Sequence, residues 1–549
     1  MTDQRGSGPG HRGGKDGRGG GRGGEARRGG QGGDRPGGAG KATGGKATGG
    51  KATGGGATGG GAAMRRGAGG AQGSGSGGHA GGQGRSARPD AQGRASGNAA
   101  DRSGKGPSGP SFGPSFGSPA RGAPERELTP RIAARRLVAG VLRDRRPLSE
   151  IEAGTLAPLP PEGRAEARRL AVDTLRHLAR ADAVLKPLLG HMPPPPVRTV
   201  LRLATVELMG GGAPHGVVDE AVRAVRKGPR AQAVAGLVNA VLRRVATEGA
   251  PRWEAGGPNR LPPWIRGRVQ GLFGARRTAM IERAHEAGAP VDLTPRDGDA
   301  AALAARLAEA GQAAEALPTG SVRLAGGAQL SALPGYGEGA WWVQDAAAAL
   351  PVRMLGLRPG ERALDLCAAP GGKAMQMIAA GASVTCVDAS AERTERLREN
   401  LARTALAAEV VVADLLQWTP DAPADAILLD APCTATGTIR RHPDLPLVRD
   451  GAALAEIAAL QAALLDRALG WLAPGGRLVL CTCSLLPEEG ERLVEAALAR
   501  HPGLRARRAV PDGVPEDWHG PLGLRTAPDL WPERGGMDGF FAVRLAFGG

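Results

Sequence analysis

From Leu128 onward, apolar residues recur every three or four positions, the spacing of a helix that buries one face. In LTPRIAARRLVAGVL the period is held by Ile132, Leu137, Val138, Val141 and Leu142, with Thr129 placed to cap and Pro130 suited to the first turn. The same spacing continues through ARRLAVDTLRHLARADAVLKPLL, VRTVLRLATVELM, VVDEAVRAVRK and VAGLVNAVLRRVA. An all-helical domain is expected over residues 127–250. From 251 to 345 the pattern is mixed: a helix after Pro262-Pro263-Trp264, a strand in VDLTPR, a helix in AAALAARLAEAG and a strand around SVRLAG. That alternation predicts a small α+β unit.

Beyond residue 346 the period changes again. Short apolar runs ending in small or acidic residues (RALDLCAAPGGK, SVTCVDAS, EVVVADLL, ADAILLDAPC, GRLVLCTCS) alternate with helical segments, one of them marked by Leu454, Ile457, Leu460, Leu464 and Leu465. Five strands with helices between them predict a doubly wound, mostly parallel sheet, a Rossmann-like α/β domain over 346–549. Ligands of such sheets bind at the carboxyl ends of the strands.

Residues 1–126 lack any such pattern. They are rich in Gly, with little apolar surface to offset the entropy of ordering, and are expected to be disordered. Three copies of KATGG at 41–55 have no core to share and read as replication slippage. This tail holds 20 Lys or Arg against 7 Asp or Glu, so 13 of the net +17 charges sit on it. Such a tail suits non-specific attraction to nucleic acid, or simple solubilisation. No signal-like start and no run of about 18 apolar residues occurs, so a soluble, cytoplasmic protein without membrane partners is expected; the sequence does not fix the oligomeric state, and a monomer is the expectation. All five cysteines lie in the last third, without a C-x-x-C. A disulfide framework and a structural metal are disfavoured on that spacing.

The strand ends carry the candidate chemistry. The first runs into Cys367, Ala368, Ala369, Pro370, Gly371, Gly372 and Lys373, where two glycines let backbone approach a ligand and a helix start offers free amides. Asp388 ends the second strand and is placed for a ribose diol; Asp414 ends the third and is placed to accept hydrogen bonds around an adenine. A nucleoside without a diphosphate fits, and S-adenosylmethionine is the candidate cofactor. The fourth strand ends in LLDAPCTATG, with Asp430 three residues before Cys433, and the fifth ends near Cys483. If those strands are neighbours, both thiols enter one cleft. A thiolate added to carbon 6 of cytosine turns carbon 5 into a nucleophile, covalent catalysis that makes methylation at carbon feasible. Asp430 is suited to ring nitrogen 3, and a second sulfur to release of the product.

DLCAAPGGK, LLDAPCTATGTIRRHPD, LVLCTCSLLPEE and GMDGFFAVRL resemble the motifs of the RNA 5-methylcytosine methyltransferases of the Sun/Nop2 family, and the helices from APHGVVDEAVRAVRK to GLVNAVLRR resemble the NusB-like RNA-binding domain. The resemblance implies S-adenosylmethionine contacts from Cys367 to Lys373 and from Asp388, Asp414 and Asp430. It makes Cys483 the nucleophile, Cys433 the thiol that assists release, and a cytosine of 16S RNA in the small ribosomal subunit the target. Arg440 and Arg441 are read as phosphate contacts or as a solvated basic turn. Two departures stand out: Cys481 occupies a position where relatives carry Ala or Ser, and VDLTPRDGD replaces a strand ending in Arg-Val-Asn. Transfer RNA as substrate, and a non-catalytic RNA-binding role, remain as alternatives.

Overall fold

The computed structural model describes residues 128–226 and 231–548. The glycine-rich segment, its repeats and the disorder expected of it lie outside those residues. The N-terminal part is helical: α1 (Pro130–Leu142), α2 (Leu148–Leu156), α3 (Pro161–Arg176), α4 (Leu178–Leu185), α5 (Pro195–Met209), α6 (Pro214–Val225) and α7 (Ala231–Ala255). α1 begins as its sequence dictates, with Thr129 Oγ1 accepting from Ile132 N at 3.3 Å and Pro130 in the first turn. Its periodic apolar face (Leu137, Val138, Val141) packs on Leu170 and Leu175 of α3, and a second core joins α5, α6 and α7 through Leu201, Val217 and Val238. α7 runs on past residue 250 without a break to Ala255.

The middle segment opens with α8 (Pro263–Ala287) and builds a four-stranded antiparallel sheet from β1 (Val291–Pro295), β2 (Ala314–Ala316), β3 (Val322–Leu324) and β4 (Trp341–Val343), in the order β2-β3-β1-β4, with α9 (Ala300–Glu309) against it. Asp292 of β1 is buried, and Arg323 of β3 grips both its oxygens at 2.7 and 2.8 Å. An unpaired buried carboxylate would be costly; the cross-strand arginine removes that cost.

The C-terminal part runs α10 (Ala346–Leu355), β5 (Arg362–Leu366), α11 (Gly372–Ala379), β6 (Ser383–Asp388), α12 (Ala391–Arg403), β7 (Glu409–Val412), β8 (Ala424–Asp430), α13 (Leu445–Val448), α14 (Leu454–Leu469), β9 (Leu472–Thr482), α15 (Glu491–Arg500), β10 (Leu504–Arg507), β11 (His519–Gly520), β12 (Gly523–Arg525) and β13 (Phe541–Phe547). Their sheet has the order β11-β12-β13-β9-β8-β5-β6-β7, with β10 also on β13. β9, β8, β5, β6 and β7 are parallel, and β13 joins β9 antiparallel. Successive strand residues face opposite sides. Thus Ala363, Cys386 and Leu428 enter one core, with Met375 of α11, while Leu364, Ile427 and Leu429 enter the other, with Leu465 of α14 and Val494 of α15.

The helical part meets the loop after β8. Leu148 N donates to Asp444 Oδ2 at 2.9 Å, and Arg176 Nη2 donates to the carbonyl of Arg440 at 3.2 Å. No helix among the described residues is long and apolar enough to cross a membrane.

Candidate functional site

Parallel order puts the carboxyl ends of β5, β6, β8 and β9 on one edge of the sheet. β8 and β9 are neighbours in register, Asp430 opposite Cys481, so the two loops that follow leave side by side. Cys433 and Cys483 are consequently brought together, Sγ to Sγ 3.4 Å, both half-buried. Cys433 has its pKa held well above the usual thiol value by the hydrogen bond with Cys483, by burial and by the nearby Glu489 charge.

Lys373 enters from the first turn of α11, its Nζ 2.8 Å from Asp430 Oδ2 and over the Phe540 ring at 5.3 Å. Burial works against the lysine charge, but Asp430 and the neighbouring thiols outweigh it and raise its pKa. The other oxygen, Asp430 Oδ1, accepts from Cys481 Sγ at 3.4 Å. Cys481 is buried, and burial with Asp430 beside it pushes its pKa well up.

A cavity of about 820 Å³ opens over these groups, lined among others by Ala368, Ala369, Pro370, Gly372, Lys373, Asp430, Cys483 and Phe540. Its size is that of a small-molecule site. Asp365, on β5, also lines it: fully buried, with neither carboxylate oxygen partnered, and with its pKa pushed up to about 8 by burial and by Asp430. An orphaned carboxylate facing a cavity suits a ligand carrying positive charge, as the sulfonium and ammonium of S-adenosylmethionine do. The donor set therefore fits that cofactor. Among the described residues no cluster of three His, Cys, Asp or Glu is arranged to hold a metal.

The loop after β5 is shaped by its own backbone. Gly371 has φ 103, and a Cβ there would lie 2.3 Å from Leu397 Cδ1. At Gly372, which lines the cavity at the start of α11, a Cβ would meet within the protein only Gln344 at 3.7 Å, an ordinary contact. Cys367 takes φ 62, and burial with the carboxylates of Asp430, Asp388 and Asp365 pushes its thiol pKa up to about 12. Its sulfur is unsuited to nucleophilic work.

Asp388 and Asp414 stand apart from the cavity lining. Asp388, at the end of β6, accepts from Ala369 N at 3.1 Å and Ser390 N at 3.0 Å and pairs with Arg393 at 3.4 Å, so it braces the cofactor loop. Asp414 lies two residues past β7, exposed, accepting from Leu416 N at 2.9 Å. Arg440 is not part of a solvated turn: it is fully buried, its Nε 3.5 Å from Asp538 Oδ1, whereas Arg441 bonds the same carboxylate but stays exposed and lines the cavity. Trp341, Trp342 and Phe540 are buried core residues that also border the cavity.

Two groups escaped the sequence reading. Asp365 was signalled by a charge inside the apolar strand ALDL. Asn400, which donates to the carbonyl of Pro370 at 2.9 Å, carried no local signal. The loops after β8 and β9 and the segment before β13 also touch backbone to backbone. Gly437 N donates to the carbonyl of Cys483 at 3.0 Å and Gly539 N to that of Gly437 at 2.9 Å; a Cβ on Gly437 would lie 1.8 Å from Gly539 O.

A mixed sheet whose central strands are parallel, with a glycine-containing loop after β5, acidic groups at successive strand ends and a ligand-sized cleft above them, fits a methyltransferase of the Rossmann-like kind. Residues 128–247 match the NusB family, and residues 352–546 match the family described as 16S rRNA methyltransferase RsmB/F. The Ribosomal RNA small subunit methyltransferase B of Pseudomonas putida is 34% identical over 437 residues, 76% of this chain and 98% of that one. The protein of the same name from Thermus thermophilus is 36% identical over 394 residues, 71% of this chain and 90% of its own. Among solved structures, PH0851 has a similar fold, with TM-score 0.57 and 22% identity over 76% of this chain and 99% of that one. The chain belongs to the RsmB/F family of ribosomal-RNA methyltransferases and carries the NusB-like domain at its N-terminal side.

Proposed function

We propose that the protein methylates carbon 5 of a cytosine in 16S ribosomal RNA, through a covalent bond between Cys483 and carbon 6 of the base. The observation that carries this reading is the 3.4 Å approach of the Cys433 and Cys483 sulfurs beside the Asp430 carboxylate. The names of the relatives support the choice of the small-subunit RNA.

S-adenosylmethionine supplies an electrophilic methyl group. The residues proposed to hold it are Cys367 to Lys373, through backbone groups, with Asp430 beside them; Asp388 steadies that loop and Asp414 serves the base end. Cys483, as thiolate, adds to carbon 6, and the electron pair moves to carbon 5, which takes the methyl. Asp430, with Lys373 against it, faces ring nitrogen 3 and stabilises the adduct. The carbon 5 proton then leaves, the ring double bond re-forms, and the carbon–sulfur bond breaks with the electron pair returning to Cys483. Cys433 keeps its proton at neutral pH because its pKa is raised, and is placed to assist that expulsion. The target base must be out of its stack to reach both sulfurs, at a cost of a few kcal/mol.

The test is release of tritium from RNA labelled at carbon 5 of cytosine, with naked 16S RNA, assembled small subunits and transfer RNA assayed side by side. Release and methylation confined to one of the two small-subunit substrates support the reading. Activity on transfer RNA alone reassigns the substrate, and cofactor binding without release on any RNA leaves a binding protein.

A further inference from the structure

Glu489 lies outside the cavity, and no step above uses it. Its side chain is sealed from solvent, and a buried carboxylate persists only where donors surround it. One oxygen accepts from Thr434 N at 2.8 Å and from Gln461 Nε2 at 3.2 Å. The other accepts from Thr434 Oγ1 and Ser484 Oγ, each at 2.5 Å.

The position of these donors is informative. Thr434 follows Cys433, and Ser484 follows Cys483. Gln461 also donates to the carbonyl of Pro432 at 2.8 Å, on the near side of Cys433, and Thr482 Oγ1 donates to the carbonyl of Glu489 at 2.8 Å, on the near side of Cys483. Both neighbours of each thiol are thus tied, directly or through one glutamine, to a single residue. All five of the polar side chains in this cluster (Thr434, Gln461, Thr482, Ser484, Glu489) are buried. The backbones of the two loops are joined at Ala431 N to the carbonyl of Cys481 and Gly437 N to that of Cys483, each at 3.0 Å, but the residues flanking the thiols are held by side chains that meet at Glu489.

We propose that Glu489 is a positioning residue for the reaction, clamping the loops of Cys433 and Cys483 into one frame so that both sulfurs meet the same base. The role in catalysis rests on the two-thiol reading above; the geometric role does not. A plain fold staple would affect stability alone, whereas a clamp sets how readily the two sulfurs act together.

Phenylarsine oxide separates these, because its arsenic bridges two thiols held close together and captures Cys433 and Cys483 as a pair. The full chain is compared with Glu489→Ala, Glu489→Gln and Thr434→Val, with Cys433→Ala as the control that loses capture. Misplacement of reacting groups by about 1 Å costs about 100-fold, so Glu489→Ala is expected to lose about that much kcat with KM for RNA nearly constant, and to bind the arsenical about tenfold more weakly. Glu489→Gln, which keeps the shape and one acceptor, is expected to recover most of both. Wild-type kcat and arsenical affinity in Glu489→Ala would overturn the proposal, as would a kcat loss that follows melting temperature while arsenical affinity is unchanged. If Glu489→Ala does not fold, unchanged kcat and capture in both Glu489→Gln and Thr434→Val overturn it equally. A wild-type chain that captures arsenical but methylates no RNA refutes the two-thiol reaction, and the clamp is then decided by the arsenical alone.

Discussion

Lys373 Nζ and Asp430 Oδ2, 2.8 Å apart, join the first turn of α11 to the end of β8. The pair is mostly shielded, the lysine side chain 11% and the aspartate 31% exposed, so neither charge is easily left alone. It is the ionic contact on which the cofactor side and the thiol side of the cleft meet.

Lys373→Met removes the cation and keeps the apolar stem. Leaving a shielded carboxylate without its partner is expected to cost about 1–3 kcal/mol of stability, and turnover is expected to fall about 100-fold. Urea unfolding and single-turnover methylation measure the two effects. Normal turnover would remove the pair from the reaction.

The thiols should fail differently. Cys483→Ala is expected to abolish both methylation and adduct formation, whereas Cys433→Ala should accumulate a protein–RNA adduct that survives denaturing electrophoresis. Methylation at the normal rate by Cys483→Ala would reverse the assignment.

Cys481 touches Asp430 through a weak S–H···O contact of 3.4 Å. Cys481→Ala is expected to lower kcat by about threefold, the size of a second-order interaction, and to leave the adduct intact. A much larger loss with unchanged folding would place Cys481 in the chemistry.

Asp365, its pKa pushed up to about 8, carries a proton at pH 7 and faces the cavity. Binding of a positively charged ligand beside it favours the carboxylate, so S-adenosylmethionine binding at pH 7 should release up to about one proton. Calorimetry in buffers of different ionisation enthalpy reads this directly, and Asp365→Asn should lose the release and about tenfold or more in affinity. Equal proton release from the variant would assign it elsewhere.

His285 of α8 is buried and its pKa is pushed down to about 3 by burial and by Arg440, from an ordinary 6.5. Between those values the unfolded chain takes up a proton that the folded chain does not. The folded state therefore loses about 1.4 kcal/mol per pH unit from this group as pH falls below 6.5, until pH approaches 3. Urea midpoints at pH 7, 6 and 5 should show a shallower decline for His285→Leu than for the wild type. Parallel declines would mean that His285 does not stay neutral.

Local pattern was sufficient for the elements that carry their own period. The cap at Thr129, the strands ALDL and SVTCVD and the long helix from Leu454 were legible because each is decided by neighbours in sequence. The meeting of Cys433 and Cys483 followed from one further inference, that β8 and β9 are adjacent. Long-range partners were not legible. Arg440 could pass for a surface residue like Arg441 because nothing nearby in sequence reveals Asp538, about a hundred residues on, which pairs with both and faces Arg440 in the interior. Glu489 ends the stretch LVLCTCSLLPEE, yet its role was hidden for the same reason, its four donors arriving from three different segments. The hydrogen bonds of Asp388 to Ala369 N and Ser390 N likewise depend on side-chain direction, which strand order alone does not set.

The contact of Gly437 with Cys483 on one side and Gly539 on the other is made by peptide groups, with no room for a side chain between them. Peptide planes have no rotamers to choose among. Part of the width of the thiol cleft is therefore inherited from backbone dimensions, and substitutions in the apolar layers beneath can alter the stability of the sheet while leaving that part of the gauge unchanged.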